Sequence, residues 1–312
     1  MYNIKSVDYL RKSGSYMKVK HSYHFYAIIT ILSWSLAFAL TKIAMGHFSG
    51  SGLAFWRHWF AFLAMACLIG IYKIPLPKKE DWLWFVLAGI CGFSLYTVIF
   101  NIGTSMVTAA TSSLVIATSP IMTALVASIF LKEKLKVHQW LAIGVEFVGI
   151  AVLTMWNGVM SVNVGIFWLL LAAFLFCLYN LCQRRIVKKY PPLHAAVFGI
   201  MTGAVLLLPF GGTAVREIST ADFNVIVAVA VLALVCSVLA YIFWAKALGA
   251  AEKTTYVTNY MFVTPLLATV FGFVTIGEVP DFATVLGGVI IIGGLLLFNK
   301  DGLAEVMGKS KL

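Results

Sequence analysis

The chain has 312 residues, 61% of them hydrophobic and 11% charged, against roughly 45–50% and about 25% in soluble domains. That composition excludes an ordinary soluble fold. The formal net charge of +11 is of a size that nucleic-acid binders carry, but the basic residues sit on short connections between apolar segments, which ties them to membrane orientation.

Residues 1–24 are polar and basic, with no short apolar core and no small-residue cleavage site, and read as a cytoplasmic tail rather than a removable signal peptide. Met17-Lys18-Val19-Lys20 is an equally natural start, so residues 1–16 read as a dispensable extension. A spanning helix needs about 20 apolar residues. Such windows follow at 25–46, 52–72, 82–102, 108–131, 138–156, 163–183, 193–211, 223–245, 254–276 and 282–299, and residues 300–312 form a second cytoplasmic tail. This predicts an all-α integral membrane protein of ten transmembrane helices, with no separate soluble catalytic or nucleic-acid-binding domain. With the N-terminus inside, all but three of the 23 Lys and Arg residues fall on the cytoplasmic side, the exceptions being Lys42, Arg57 and Arg216. That asymmetry predicts two cytoplasmic termini.

Polar groups within spans need a partner or a wet cavity, so they mark candidate sites. On the first span Trp34, Phe38 and Thr41 share a face, with Ser35 and Lys42 at its edge. Lys42 can meet a substrate carboxylate or snorkel to the outer interface. The third span offers Tyr96 and Asn101, and the fourth carries Pro120, which frees the carbonyl of Ile116. Glu146 is the acidic residue deep in the fifth span and a candidate for proton coupling. The sixth span brings Tyr179 and Asn180, and the eighth places Ser237, Tyr241 and Trp244 on one face. The ninth adds Tyr256 and Asn259 ahead of Pro265, which frees the carbonyl of Met261. Asn259 is expected to hydrogen-bond substrate.

A shift of 145 residues overlays the third to fifth windows on the eighth to tenth without a gap. It pairs Cys91 with Cys236, Tyr96 with Tyr241, Pro120 with Pro265, Glu133 with Glu278 and Gly149 with Gly294. Each half has five spans, an odd number, so residues 25–156 and 163–299 are expected to be two inverted five-helix repeats. Inverted repeats suit alternating access to a central site. Glu133 and Glu278 are expected to meet donors on neighbouring elements. Gly144, Gly149, Gly287, Gly288, Gly293 and Gly294 read as close-packing positions within the chain or between two copies in a homodimer.

Ala247-Leu248, Pro265, Gly277-Glu278 and Gly293-Gly294 resemble the EamA signature of the drug/metabolite transporter superfamily, as do Ser33-Trp34-Ser35 with Lys42, and Phe55-Trp56-Arg57. The resemblance covers nearly the whole chain. It implies a ten-helix inverted-repeat fold, a cavity lined mainly by the first, third, fourth, sixth, eighth and ninth helices, and export of amino acids or related metabolites across a bacterial inner membrane. Met106-Val107-Thr108 departs from the family's aromatic-Thr-Ser run.

The sequence holds no H-E-x-x-H and no G-x-S-x-G, and its five cysteines form no ligand pattern. No enzyme, metal, cofactor or nucleic-acid partner is expected. The partners expected are a small-molecule substrate and the bilayer. The runner-up function is a multidrug or nucleotide-sugar carrier. A nucleotide sugar needs several cavity cations, and only Lys42, Arg57 and Lys246 come into consideration. A channel would line its pore with rings of charge or carbonyls, which the sequence does not display.

Overall fold

The structure is a computed structural model that describes residues 22–130, 135–155, 163–251, 257, 259–298 and 300. Most of both tails, Glu133 and Tyr256 lie outside the described residues, as does the side chain of Asn259.

The described elements are helical and fall on the apolar windows. They are α1 (Ser22–Met45), α2 (Gly50–Tyr72), α3 (Lys79–Met106), α4 (Ala109–Ile116), α5 (Ser119–Phe130) and α6 (Val137–Met155). The second half continues with α7 (Val164–Val187), α8 (Pro192–Leu206), α9 (Gly211–Ile218), α10 (Phe223–Ala250), α11 (Thr264–Ile276) and α12 (Phe282–Phe298). Among the described residues, five helices are long and apolar enough to cross a membrane, a sixth is α8 with α9 bent by 46°, and four shorter apolar helices accompany them. Phe147, Phe167, Phe223 and Phe282 are exposed on the outside. A surface of that kind belongs in lipid.

Local chemistry sets the helix ends. Side chains of Ser49, Thr108 and Asn163 cap α2, α4 and α7 by accepting from the backbone N–H groups of Gly52, Thr111 and Gly165. Gly277, at φ 65°, closes α11 in the left-handed conformation that glycine adopts without a Cβ penalty.

Two windows read as continuous spans are broken. Pro120 and Pro265 were expected mid-span, but each is the second residue of a fresh helix, α5 and α11. Proline lacks an N–H and collides with the carbonyl four residues back, so a helix restarts at it more readily than it runs through it. The window at 193–211 also differs, since the chain bends after Leu206 and continues helical to Ile218.

The internal repeat is visible in the backbone. A 142-residue shift carries both ends of α1 onto α7 and the start of α2 onto α8, and the 145-residue shift carries the starts of α5 and α6 onto α11 and α12. Both long helices α3 and α10 contain a π turn at matching places, Ile90–Ser94 and Leu234–Leu239. In each, a serine hydroxyl donates to the carbonyl five residues back, Ser94 to Gly89 at 3.2 Å and Ser237 to Leu232 at 3.0 Å.

The repeat extends to packing between halves. A Cβ on Gly149 would stand 3.1 Å from the Gly287 carbonyl, and one on Gly294 would stand 3.1 Å from the Ala142 carbonyl. Gly149 and Gly294, like Ala142 and Gly287, are 145 residues apart, so the contact is reciprocal and α6 runs antiparallel to α12. These glycines let two backbones meet closely, as the sequence suggested. By contrast, Gly144 and Gly293 face open space.

Candidate functional site

The centre of the molecule is an aromatic cluster assembled from both halves. Trp34 on α1 meets Phe176 on α7 and Tyr241 and Trp244 on α10, with ring centroids 5.7, 5.2 and 4.9 Å away. Tyr96 on α3 stacks on Phe100 at 5.7 Å and lies 5.5 Å from Phe176, while Phe38 meets Phe100 at 5.4 Å. Offset and edge-on arrangements of this kind let rings pack while leaving faces and edges for a ligand.

Part of this cluster borders a cavity lined by Trp34, Phe38, Arg57, Tyr96, Phe100 and Phe176, together with Ala37, Ile116, Tyr241, Met261 and Thr264. Six of the eleven lining residues form three equivalent pairs. Tyr96 matches Tyr241 and Ile116 matches Met261 by the 145-residue shift, and Trp34 matches Phe176 by the 142-residue shift. Ile116 and Met261 are the residues four before the prolines, and each lies at a break in its helix. The backbone is irregular there, and irregular backbone at membrane depth occurs where it lines a cavity.

The cavity's charge comes from Arg57. It lies on α2, is 5% exposed, and donates from Nε to the Ser237 hydroxyl at 2.8 Å. Among the described residues no carboxylate pairs with it. Trp34 Nε1 and Thr264 Oγ1 are buried on the same lining and lack a hydrogen-bond partner among the described residues.

Lys42 is placed elsewhere. Its ammonium sits 2.5 Å from Glu278 Oε1 and donates to the Val107 carbonyl at 2.7 Å. Glu278 Oε2 also accepts the N–H of Ala109, the first residue of α4, at 2.7 Å, where an acid is favoured by the helix dipole. Beside them the hydroxyls of Thr111 and Thr284 meet at 2.9 Å. The segment Met106-Val107-Thr108 thus supplies both a carbonyl and a cap to this clasp. Glu278 meets donors on neighbouring elements, as expected. At the other end of α1, His24 and Tyr260 are hydrogen-bonded.

Of the sequence-derived candidates, Trp34, Phe38, Tyr96 and Tyr241 come together on the cavity. Trp244 and Tyr179 lie behind it in the aromatic cluster. Asn101 is buried and donates to the Gly50 carbonyl at 2.9 Å, fastening α3 to α2. Asn180 is half-buried and outside the lining. Glu146 is buried against Gly294 in the α6–α12 contact, away from the lining, and its Oε1 has no partner among the described residues. Sequence reading took Arg57 as part of the EamA-like Phe55-Trp56-Arg57 stretch and weighed it as a ligand for phosphate, and passed over Phe100, Phe176 and Thr264. The usable signal for Arg57 was a guanidinium inside an apolar window on the side otherwise poor in basic residues.

Comparison with known proteins finds two matches to one family model, described as the EamA-like transporter family, over residues 21–155 and 163–300. The chain is 28% identical over 278 residues to a "Probable terminal-alkyne amino-acid exporter" of Streptantibioticus cattleyicolor, covering 89% of this chain and 93% of that protein. It is 28% identical over 290 residues to the "Uncharacterized transporter YdfC" of Bacillus subtilis, covering 92% of each. A "Probable amino-acid metabolite efflux pump" of Salmonella typhimurium is 22% identical over 88% of this chain and 93% of its own length. A solved structure described as "Crystal structure of protein" superposes with a TM-score of 0.62 at 18% identity, over 92% of this chain and 98% of that one.

Proposed function

This chain belongs to the EamA-like transporter family, a multi-pass cell-membrane transporter and not an enzyme, and from that premise we propose that it exports amino acids or related amphipathic metabolites by alternating access. The supporting observation is the central cavity, whose walls come from both repeats and include the equivalent pairs Trp34/Phe176, Tyr96/Tyr241 and Ile116/Met261. A site shared by two like halves can be opened to either side by rocking one half against the other.

The proposal takes the fold to be ten spans in two inverted halves with cytoplasmic termini. Antiparallel α6 and α12 support the inversion. The Lys42–Glu278 clasp and the His24–Tyr260 contact would then close the outer and inner ends of the path. The two relatives named for amino-acid or amino-acid-metabolite export support the cargo class. A lining of rings around a single cation suits an amphipathic solute better than a nucleotide sugar, whose phosphates need several cations.

Purified protein in proteoliposomes, loaded with each of a panel of amino acids, amines and cationic drugs, should show saturable counterflow of amino acids. Absence of counterflow for every solute would remove the carrier reading. Coupling to protons through Glu146 is a second part of the proposal, carried by its buried carboxyl. Glu146→Gln should keep counterflow and lose its response to a pH gradient. An unchanged response would remove this part alone.

A further inference from the structure

We infer that Arg57 is the receptor for a carboxylate on the cargo, so that the cavity selects zwitterions and monoanions with an apolar body and rejects amines that lack a carboxylate. This rests on the transport reading for its setting but is tested by binding alone.

A guanidinium carries five N–H donors and no acceptor. Arg57 uses Nε on Ser237, and among the described residues no acid meets the rest of the fork, although the residue is 5% exposed. An unpaired buried cation is costly, and two parallel N–H donors match a carboxylate's two oxygens. The side chain is also held in place. Ser237 lies in the π turn of α10, where its one hydroxyl proton goes to the Leu232 carbonyl, and this leaves its lone pairs to accept from Arg57. Nε is thereby anchored, and the terminal nitrogens remain for the ligand.

The rest of the lining contributes no charge. It consists of rings, aliphatic side chains and the Thr264 hydroxyl. An ammonium group would find ring faces, which hold a cation weakly, and would stand near Arg57's own positive charge. Lys42 is committed to Glu278 and cannot serve as the anion receptor without breaking that pair. In the second repeat the position equivalent to Arg57 is Gly199, which faces Phe93, so no second charge answers the first.

The test uses the full-length protein in lipid nanodiscs and reads binding by thermal shift and tryptophan fluorescence. Two series keep the body constant while changing charge: phenylalanine, 3-phenylpropionate, phenylalanine amide and phenethylamine, then leucine, 4-methylpentanoate, leucine amide and isopentylamine. The carboxylates should bind at least about tenfold more tightly than the amides and amines, the scale of a charge-assisted hydrogen bond. Arg57→Gln should erase that ranking, Arg57→Lys should keep it in weakened form, and Ser237→Ala should weaken carboxylate binding by about threefold to tenfold. Amines binding as tightly as carboxylates, a ranking that survives Arg57→Gln, or no binding in either series would each overturn the inference. If Arg57→Gln does not fold, the wild-type ranking and Ser237→Ala decide. Ranked binding without counterflow would defeat the transport reading and leave this one standing. Counterflow of amines unaffected at Arg57 would do the reverse.

Discussion

Where the first half has Arg57, the second has Gly199; where the first has Glu146, packed on Gly294, the second has Ile291, packed on Gly149. Yet the helix starts, both proline breaks and both π turns recur at the same offsets. The shared features are backbone features, which small residues, prolines and hydroxyls impose, together with the Tyr96/Tyr241 pair on the cavity. The charges of Arg57 and Glu146 are not shared. The two halves keep a common backbone geometry, and these two charges stand on the first half alone.

The strongest way to break this comparison is at the matched tyrosines. Tyr241 meets Trp34, Phe93 and Tyr179, whereas Tyr96 meets Phe100 and Phe176. Tyr241→Ala should therefore cost about 3–5 kcal/mol of stability and Tyr96→Ala less, read as melting temperatures of detergent-purified protein. Equal losses would mean that the cluster does not lean on the second half. Next come Gly149→Ala and Gly294→Ala, each of which puts a Cβ within 2.6 or 2.7 Å of a neighbouring side chain and 3.1 Å of a carbonyl. Both should lower stability by about 1–3 kcal/mol and by similar amounts, since reciprocal contacts carry reciprocal strain. A single sensitive glycine would contradict the two-fold contact.

Glu278→Gln removes the ion pair with Lys42 but keeps an oxygen for the Ala109 N–H. It should cost about 1–2 kcal/mol and be rescued in part by Lys42→Gln, a double-mutant cycle that isolates the pair. The smallest effect is expected at Asp81, in the first turn of α3, which accepts from Lys189 at 2.7 Å and Tyr190 at 2.6 Å near the surface. Asp81→Asn should lower the melting temperature least of these variants, and less again at high salt.

Much of the helical fold was legible in the sequence because hydropathy responds to the bilayer directly. The 145-residue shift was legible too, and it found Tyr96 and Tyr241 on one cavity. The breaks at the prolines were not, because an apolar window scores the same whether its helix is continuous or restarted. Nor could a one-dimensional reading separate Lys42 from Arg57. Both were cations on the sparsely charged side, and only the fold brings Glu278, 236 residues away in sequence, to Lys42. Asn101 looked like a ligand for a similar reason, since its actual acceptor, the Gly50 carbonyl, belongs to another helix.

The reciprocal seam between α6 and α12 has a mechanical meaning. Backbones that meet closely at two places, Gly149 against the Gly287 carbonyl and Gly294 against the Ala142 carbonyl, cannot slide past one another without collision. If the cavity walls part on one side and then the other, some line through the molecule must stay still. This seam, which contributes no residue to the cavity lining and is built alike from both halves, is placed to be that line.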